Sequence, residues 1–379
     1  MRTGENMINP FQFGKVVRDK QFCNRQRELR DLAITIKSGN SLWLYSPRRL
    51  GKTSLVVNTF SHIKEVKTIY FDLFNIRDSR EFATKYLNTL THELFTWKQG
   101  VTSILKNLSG HLKMITPTVS LDTMGNPSIG IDIKSNEVSQ TLESILELPQ
   151  KLNYSKPICI AFDEFQEVER LDPFLKNIMR SVFQHQQNVS YIFLGSKESL
   201  MNTIFSDAKS PFFQFGEKMK LDPISNSELT AYIKSMFRET QLKIKNETIE
   251  NILQLSECHP HYTQYAAYVA WGLINQKIQQ DENFKQIWLS RIIESQSDAF
   301  RTIFEQLNAN QRKVLYALSD IDDQSILSKE TMIKYDLPPK STVNTALNSL
   351  LHKTLILKSI GSYRFENPIF KIWINKLYD

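Results

Sequence analysis

The chain has 379 residues, enough for two or three domains with a large core, and carries a formal charge of +7. Three scattered cysteines (Cys23, Cys159, Cys258) with no CxxC pair exclude a disulfide framework or a zinc site as expectations and fit a reducing, cytoplasmic setting. The opening MRTGENMINPFQF lacks the apolar segment of a signal peptide, and no stretch reaches the roughly 18 apolar residues of a membrane span, so no membrane partner is expected. The positive charge permits an acidic partner or DNA, but a solvated basic surface explains it equally well.

Residues 1–20 read as an extended lead-in. Phe22 to Leu29 then runs into an amphipathic helix with Leu29, Leu32, Ala33 and Ile36 on one side. Such a segment either lies over the base of a nucleotide or simply caps the domain. Ser41 to Thr59 is the most informative stretch. A buried strand (Leu42 to Tyr45) enters a loop (Ser46 to Gly51), and a helix opens at Lys52. The loop fits the phosphate-binding pattern G-x-x-x-x-G-K-S/T, with Ser46 in place of the first glycine. Successive backbone N–H groups and the helix N-terminus behind them make a cradle for anions. Ser46, Pro47, Arg48, Arg49, Leu50, Gly51, Lys52, Thr53 and Ser54 are therefore candidate nucleotide-binding residues. Lys52 would reach the β/γ-phosphates, and the Thr53 hydroxyl would sit on Mg²⁺.

Lys67 to Phe74 predicts a second buried strand, with Asp72 placed to face the nucleotide, and a helix should run from Ser79 to Lys106. Residues 112–135 alternate apolar and polar on either side of Met124-Gly125-Asn126-Pro127, the pattern of a β-hairpin. It is either an interaction or oligomerisation arm or a solvated decoration. After a helix over 137–152, Ile158 to Glu164 is an apolar run ending in Asp163-Glu164. Both faces of that strand should be buried in a parallel sheet. Asp163 would enter the Mg²⁺ shell, and Glu164 would orient or deprotonate the attacking water. A helix over 175–185 carries Arg180. The strand Val189 to Leu194 ends in Gly195-Ser196-Lys197, and Ser196 is the first candidate, Lys197 the second, to touch the γ-phosphate or the water. Lys218 to Leu221 closes the alternation.

Strands alternating with helices over residues 40–224 predict an α/β fold, a P-loop NTPase core with its parallel sheet flanked by helices. Residues 1–224 make this core, with the hairpin near 112–135 as an insertion. Residues 225–305 read as an all-helical lid, opened by the start signal Ser225-Asn226-Ser227-Glu228. His259 stands before Pro260 at a helix N-terminus, either meeting a phosphate oxygen or serving structurally. Residues 306–379 predict three helices and a hairpin, a winged-helix domain with ten Lys and Arg against seven Asp and Glu. Its presumed recognition helix (Ser341, Thr342, Asn344, Thr345, Asn348) is mostly neutral, so DNA contact and a role gating the nucleotide cleft stand side by side.

Taken together, the motifs resemble the archaeal-type ATPases of the STAND group (signal-transduction ATPases with numerous domains) within the AAA+ lineage. The resemblance rests on NPF at 9–11, F-x-x-R-x-x-E-L at 22–29, S-P-R-R-L-G-K-T-S-L at 46–55 and DLF at 72–74. It continues through AFDEFQEV at 161–168, FLGS at 193–196, PFFQFG at 211–216, H-P-H-Y at 259–262 and Y-R-F-E-N-P-I-F-K-I-W at 363–373. It implies an ATPase that uses ATP/ADP and Mg²⁺, with Arg25 near the adenine, Ser196 as first sensor, and His259-Pro260 meeting the bound nucleotide. Two positions depart from the family pattern, Ser46 and Cys258, both standing where glycine is usual. Arg180 is a candidate finger toward a neighbouring subunit. Three readings follow. The first is an ATP-hydrolysing switch that engages a protein partner or a second copy. The second is an ATP-regulated DNA-binding protein of the origin-recognition or mobile-element kind. The third is a scaffold subunit of a defence or toxin complex.

Overall fold

A computed structural model of the chain describes residues 7–95, 117–121, 127–131, 137–152, 154–321, 325–359 and 362–378. Contacts divide the chain into two compact units. One is Val16–Pro223; the other joins Ile224–Asp379 to the chain's first residues, up to Lys15.

In the first unit the strands are β1 (Leu42–Tyr45), β2 (Lys67–Asp72), β3 (Pro117–Leu121), β4 (Pro127–Ile131), β5 (Ile158–Asp163), β6 (Val189–Gly195) and β7 (Glu217–Lys220). The helices that matter for the site are α1 (Gln26–Lys37), α2 (Lys52–His62), α3 (Ser79–Leu94), α4 (Val138–Lys151), α5 (Leu175–Phe183) and α6 (Glu198–Phe205). Five strands form one parallel sheet in the order β2-β5-β6-β1-β7. This is the expected helix-flanked parallel sheet.

The period-two alternation of the strands explains why both faces are apolar. Trp43, Ile160, Phe162, Tyr191 and Phe193 point into one core with α3, α4, α5 and α6. Leu42, Leu44, Cys159, Ala161, Ile192 and Leu194 point into the other, with Leu32 and Ile36 of α1 and Leu55 and Val56 of α2. The first core is aromatic: Phe162 stacks with Phe193 at 6.1 Å between ring centroids, and Phe183 with Tyr191 at 3.8 Å. Each fully buried Phe there contributes about 1.5–3 kcal/mol of transfer free energy. Every parallel strand ends at the same edge of the sheet, and Asp72 pairs in register with Asp163. Chain topology therefore gathers the polar strand ends into one row, the crevice where open α/β sheets bind ligands.

The hairpin is present as β3 and β4, antiparallel from Pro117 opposite Ile131 to Leu121 opposite Pro127. The expected turn residues 124–126 lie outside the described residues. The helix expected to reach Lys106 ends at Leu94, with 96–116 likewise outside.

In the second unit, Ser225 caps the first helix, α7 (Asn226–Glu239), and Glu228 completes the capping box. Phe11 from the chain's start packs on Tyr232 and Phe237, at 6.2 and 5.5 Å between ring centroids. Then follow α8 (Asn246–Ser256), α9 (Pro260–Asn275), α10 (Phe284–Glu294) and α11 (Ser297–Glu305). The C-terminal part has α12 (Ala309–Asp320), α13 (Lys329–Lys334), α14 (Lys340–His352), the antiparallel pair β8 (Ile356–Ser359) and β9 (Ser362–Phe365), and α15 (Pro368–Tyr378). The sequence reading did not foresee α15 as a helix. Asn367 accepts a hydrogen bond from the Ile369 amide, Pro368 starts the first turn, and Phe370 and Trp373 pack against Phe300.

Candidate functional site

The site starts from the backbone of the loop between β1 and α2. Arg49 (φ 61°) and Gly51 (φ 93°) are left-handed, which turns successive amides inward as a concave nest in front of the α2 N-terminus. A Cβ on Gly51 would meet nothing within 4 Å, so its glycine serves the backbone conformation rather than space. Ser46 does not have a positive φ. The missing first glycine is thus no obstacle to this loop shape.

Lys52 is buried on α2, and its ammonium donates to Ser46 O (2.9 Å), Ser46 Oγ (3.3 Å) and Pro47 O (3.1 Å). All three N–H donors of the lysine have a partner in the loop itself. Burial lowers its pKa to about 8, while the Glu164 and Asp163 carboxylates pull the other way.

Opposite the loop, Asp163 ends β5. Its Oδ2 accepts from Thr53 Oγ1 at 2.6 Å and from the Tyr70 hydroxyl at 2.6 Å. Burial, then the Asp163 charge, pushes the Tyr70 hydroxyl pKa upward, so it stays a donor. Asp72 is also raised, first by burial and then by the nearby Asp163 and Glu164 charges. The Asp163 and Glu164 carboxylates thus both act on the buried Lys52 ammonium. One hydroxyl and one carboxylate, Thr53 and Asp163, suit a hard divalent cation that takes its other oxygens from phosphate and water. No group of three or more His, Cys, Asp or Glu able to hold a metal occurs among the described residues.

Glu164 follows with a left-handed backbone (φ 51°). Its Oε2 accepts from Ser196 Oγ at 2.8 Å and from the Gln166 amide. The arrangement gathers a loop with left-handed backbone, a buried ammonium and two adjacent carboxylates at one strand-end edge.

Residues 22–265 match the family described as an ATPase domain predominantly from Archaea, and residues 298–376 match a probable winged helix domain. The chain belongs to this archaeal-type ATPase family. No curated protein gives a significant match. Among solved structures, a Walker-type ATPase of Pyrococcus abyssi matches 96% of this chain and 99% of its own, at 16% identity and a TM-score of 0.64. An ORC1 protein of Aeropyrum pernix, solved in complex with DNA, matches 94% of each chain at 12% identity and 0.51. An ORC2 protein of Aeropyrum pernix with ADPNP and ADP matches 93% of this chain and 94% of its own, at 12% and 0.50. At these identities the likeness is one of fold.

Within the ATPase domain the structure brings Ser46, Lys52, Thr53, Asp163, Glu164 and Ser196 to one sheet edge. Pro47, Arg48, Arg49, Leu50 and Gly51 complete the loop. Arg25 is only 4% exposed; its guanidinium donates to Leu50 O (3.1 Å) and Asp222 O (2.9 Å) and pairs with Glu28 at 2.9 Å. It braces the back of the loop against the chain segment just before the end of the unit at Pro223. Ser54 is turned the same way, its hydroxyl accepting from the Val17 amide at 3.2 Å. Asn58 holds that segment further, donating to Val17 O and accepting from the Asp19 amide. Lys197 lies 3.8 Å from the Glu167 carboxylate, leaving Ser196 as the strand-end residue on Glu164. The Arg180 guanidinium stacks 4.7 Å over the Phe215 ring and donates to Gln184, so within this chain it already has partners.

His259 and Pro260 belong to the other unit. His259 is the N-cap of α9 and Pro260 its first residue. Glu257 (φ 48°) and Cys258 (φ 57°) are both left-handed before it. Cys258 therefore occupies the conformation that glycine supplies at lower cost, the physical sense of the departure noted in the sequence.

Sequence reasoning missed Tyr70 and Gln166. Tyr70 lies two residues before Asp72 on β2, so period two places both on one face. That spacing puts Tyr70 on the face of Asp72 but does not name Asp163 as its partner.

Proposed function

We propose that this chain binds ATP with Mg²⁺ and hydrolyses it as a molecular switch of the STAND/AAA+ kind. Nucleotide state would set the arrangement of core, lid and winged helix, and a protein partner or a second copy would read it. The observation that carries this reading is the pairing of a Lys52-bearing phosphate loop with Asp163 and Glu164 in one strand-end row. In the proposed reaction the loop amides bind the phosphates and Lys52 transfers its hydrogen bonds from the loop carbonyls to phosphate oxygens. Thr53 and Asp163 would hold Mg²⁺, which when bound supplies charge neutralisation on the β/γ-phosphates. Glu164 orients water and takes up its proton, with Ser196 holding the carboxylate.

The experiment is phosphate release from ATP by the purified chain with Mg²⁺, with EDTA, and with excess Mg²⁺ restored. Release should stop with EDTA and return with the metal. No release under any condition, or release indifferent to EDTA, contradicts the reading.

A second reading, ATP-regulated DNA binding, has the winged-helix match in its favour, together with the likeness in fold to an ORC1 protein solved with DNA. Against it, the exposed Ser341, Asn344, Thr345 and Asn348 of α14 are uncharged, which leaves Lys340 at its start and His352 at its end as the exposed basic side chains. If it holds, duplex DNA binds at low salt and the affinity falls steeply as salt rises. Absence of binding at low salt removes it.

A further inference from the structure

Gln166 is a polar side chain, 2% exposed, in a layer otherwise built of Phe165, Phe193 and Met201. A buried carboxamide is costly there unless both of its ends are satisfied. Both are. Its Nε2 donates to Glu164 Oε2, and its Oε1 accepts from the Ser196 amide at 3.3 Å. Ser196 closes the ring, its hydroxyl donating to the same Glu164 Oε2 at 2.8 Å.

The local backbone is shaped for this ring. Glu164 is left-handed, and Phe165–Glu167 is a single 3-10 turn that swings Gln166 back under the carboxylate. Gly195, just before Ser196, has no positive φ. A Cβ there would stand 2.3 Å from the Met201 sulfur and 2.8 Å from Gln166 Oε1, so both side chains would have to shift.

We propose that Gln166 is a positioning residue for Glu164, an inference that rests on the ATP-hydrolysing reading of the site. Two donors, from Ser196 and Gln166, converge on Oε2. They fix the carboxylate plane and leave Oε1 to accept from the attacking water. Neither donor needs to touch the nucleotide. Ser196 and Gln166 are also bonded to each other, so a change at the β6 end reaches Glu164 by two routes. Gly195 adjoins the same device, since a side chain there would press on Met201 first and on the Gln166 amide oxygen next.

The test compares wild type with Gln166→Leu, Gly195→Ala, Glu164→Gln and the double variant Gln166→Leu/Glu164→Gln. Each is measured for kcat, for equilibrium ATP affinity by fluorescent-nucleotide titration, and for thermal melting. Gln166→Leu should lower kcat about 10–100-fold, the scale of a misaligned reacting group, with ATP affinity held within about threefold. Gly195→Ala, which leaves residue 166 unchanged, should move kcat the same way. The double variant should be no slower than Glu164→Gln alone, because the amide acts only through the carboxylate. An unchanged kcat in folded Gln166→Leu and Gly195→Ala overturns the proposal. So does a parallel loss of ATP affinity and kcat, or a double variant slower than Glu164→Gln. A wild type that releases no phosphate overturns the reading of the site, and this role with it. If wild type turns over and Glu164→Gln does not, the site reading stands and only the role of Gln166 is at stake.

Discussion

Lys52→Ala should lose ATP binding, with affinity reduced about 100-fold or more while the fold survives. The size follows from what the ammonium does. It is buried, and every polar group it touches belongs to the loop: Ser46 O, Ser46 Oγ and Pro47 O. The Ser46 hydroxyl also donates to Pro47 O at 3.1 Å, so Lys52 and Ser46 share the second carbonyl. When a triphosphate enters, the same three N–H groups can turn to its oxygens. Removing one partner of a desolvated charge pair costs about 2–5 kcal/mol, and each 1.4 kcal/mol is about tenfold in affinity. The variant also removes the ammonium from Ser46 O and Pro47 O, so part of the loss will come from a loosened loop. Calorimetric ATP titration beside a melting curve separates these effects. Near wild-type affinity in Lys52→Ala would remove the phosphate-loop assignment. A collapsed melting transition would instead show that Lys52 is needed for the fold.

Glu164→Gln should behave in the opposite way, keeping ATP and losing turnover. Glutamine preserves the carbonyl-type oxygen that Ser196 Oγ and the Gln166 amide bind, so the side chain can stay in place. It cannot accept a proton from water. Loss of a general base lowers rates about 10²–10⁴-fold, and ATP affinity should stay within a few-fold because Glu164 is not part of the phosphate cradle. Single-turnover hydrolysis with equilibrium binding on the same sample measures both. Equal loss of affinity and rate would place Glu164 in binding rather than chemistry.

Much of this site is legible in the sequence alone. The strand Leu42–Tyr45, the loop and the helix from Lys52 appear where the phosphate-loop pattern puts them. The apolar run ending in Asp163-Glu164 reads as a strand because Ile158 to Phe162 can be buried only in a sheet covered on both faces. These features are local, and local pattern carries them. What stayed hidden depends on strand order. Tyr70 reaches Asp163 because β2 lies beside β5, and nothing in the run KTIYFDLF says which strand becomes its neighbour. Gln166 stands in plain view in the DEFQ run, but an amide between Phe165 and Glu167 reads as filler until its partner beyond the end of β6 is known. Arg25 is similar: the motif marks it, while its bonds to Leu50 and Asp222 require β7 to close the sheet. The helix Pro368–Tyr378 was missed for another reason. It begins straight after β9, and only the burial of Ile369, Phe370, Trp373 and Ile374 reveals its helical spacing.

The departures from the glycine pattern divide in the same way. Ser46 costs nothing, because its backbone never enters the left-handed region. Cys258 does enter it, so the residue before His259 carries strain that a glycine would not.

The claim that this chain binds and hydrolyses ATP through one strand-end site is tested most directly by native mass spectrometry of the purified chain after incubation with ATP and Mg²⁺. Wild type should retain nucleotide and convert it from ATP to ADP with time. Lys52→Ala should carry none, and Glu164→Gln should retain ATP unchanged. A wild type that holds no nucleotide, or holds ATP that never becomes ADP, would contradict the account.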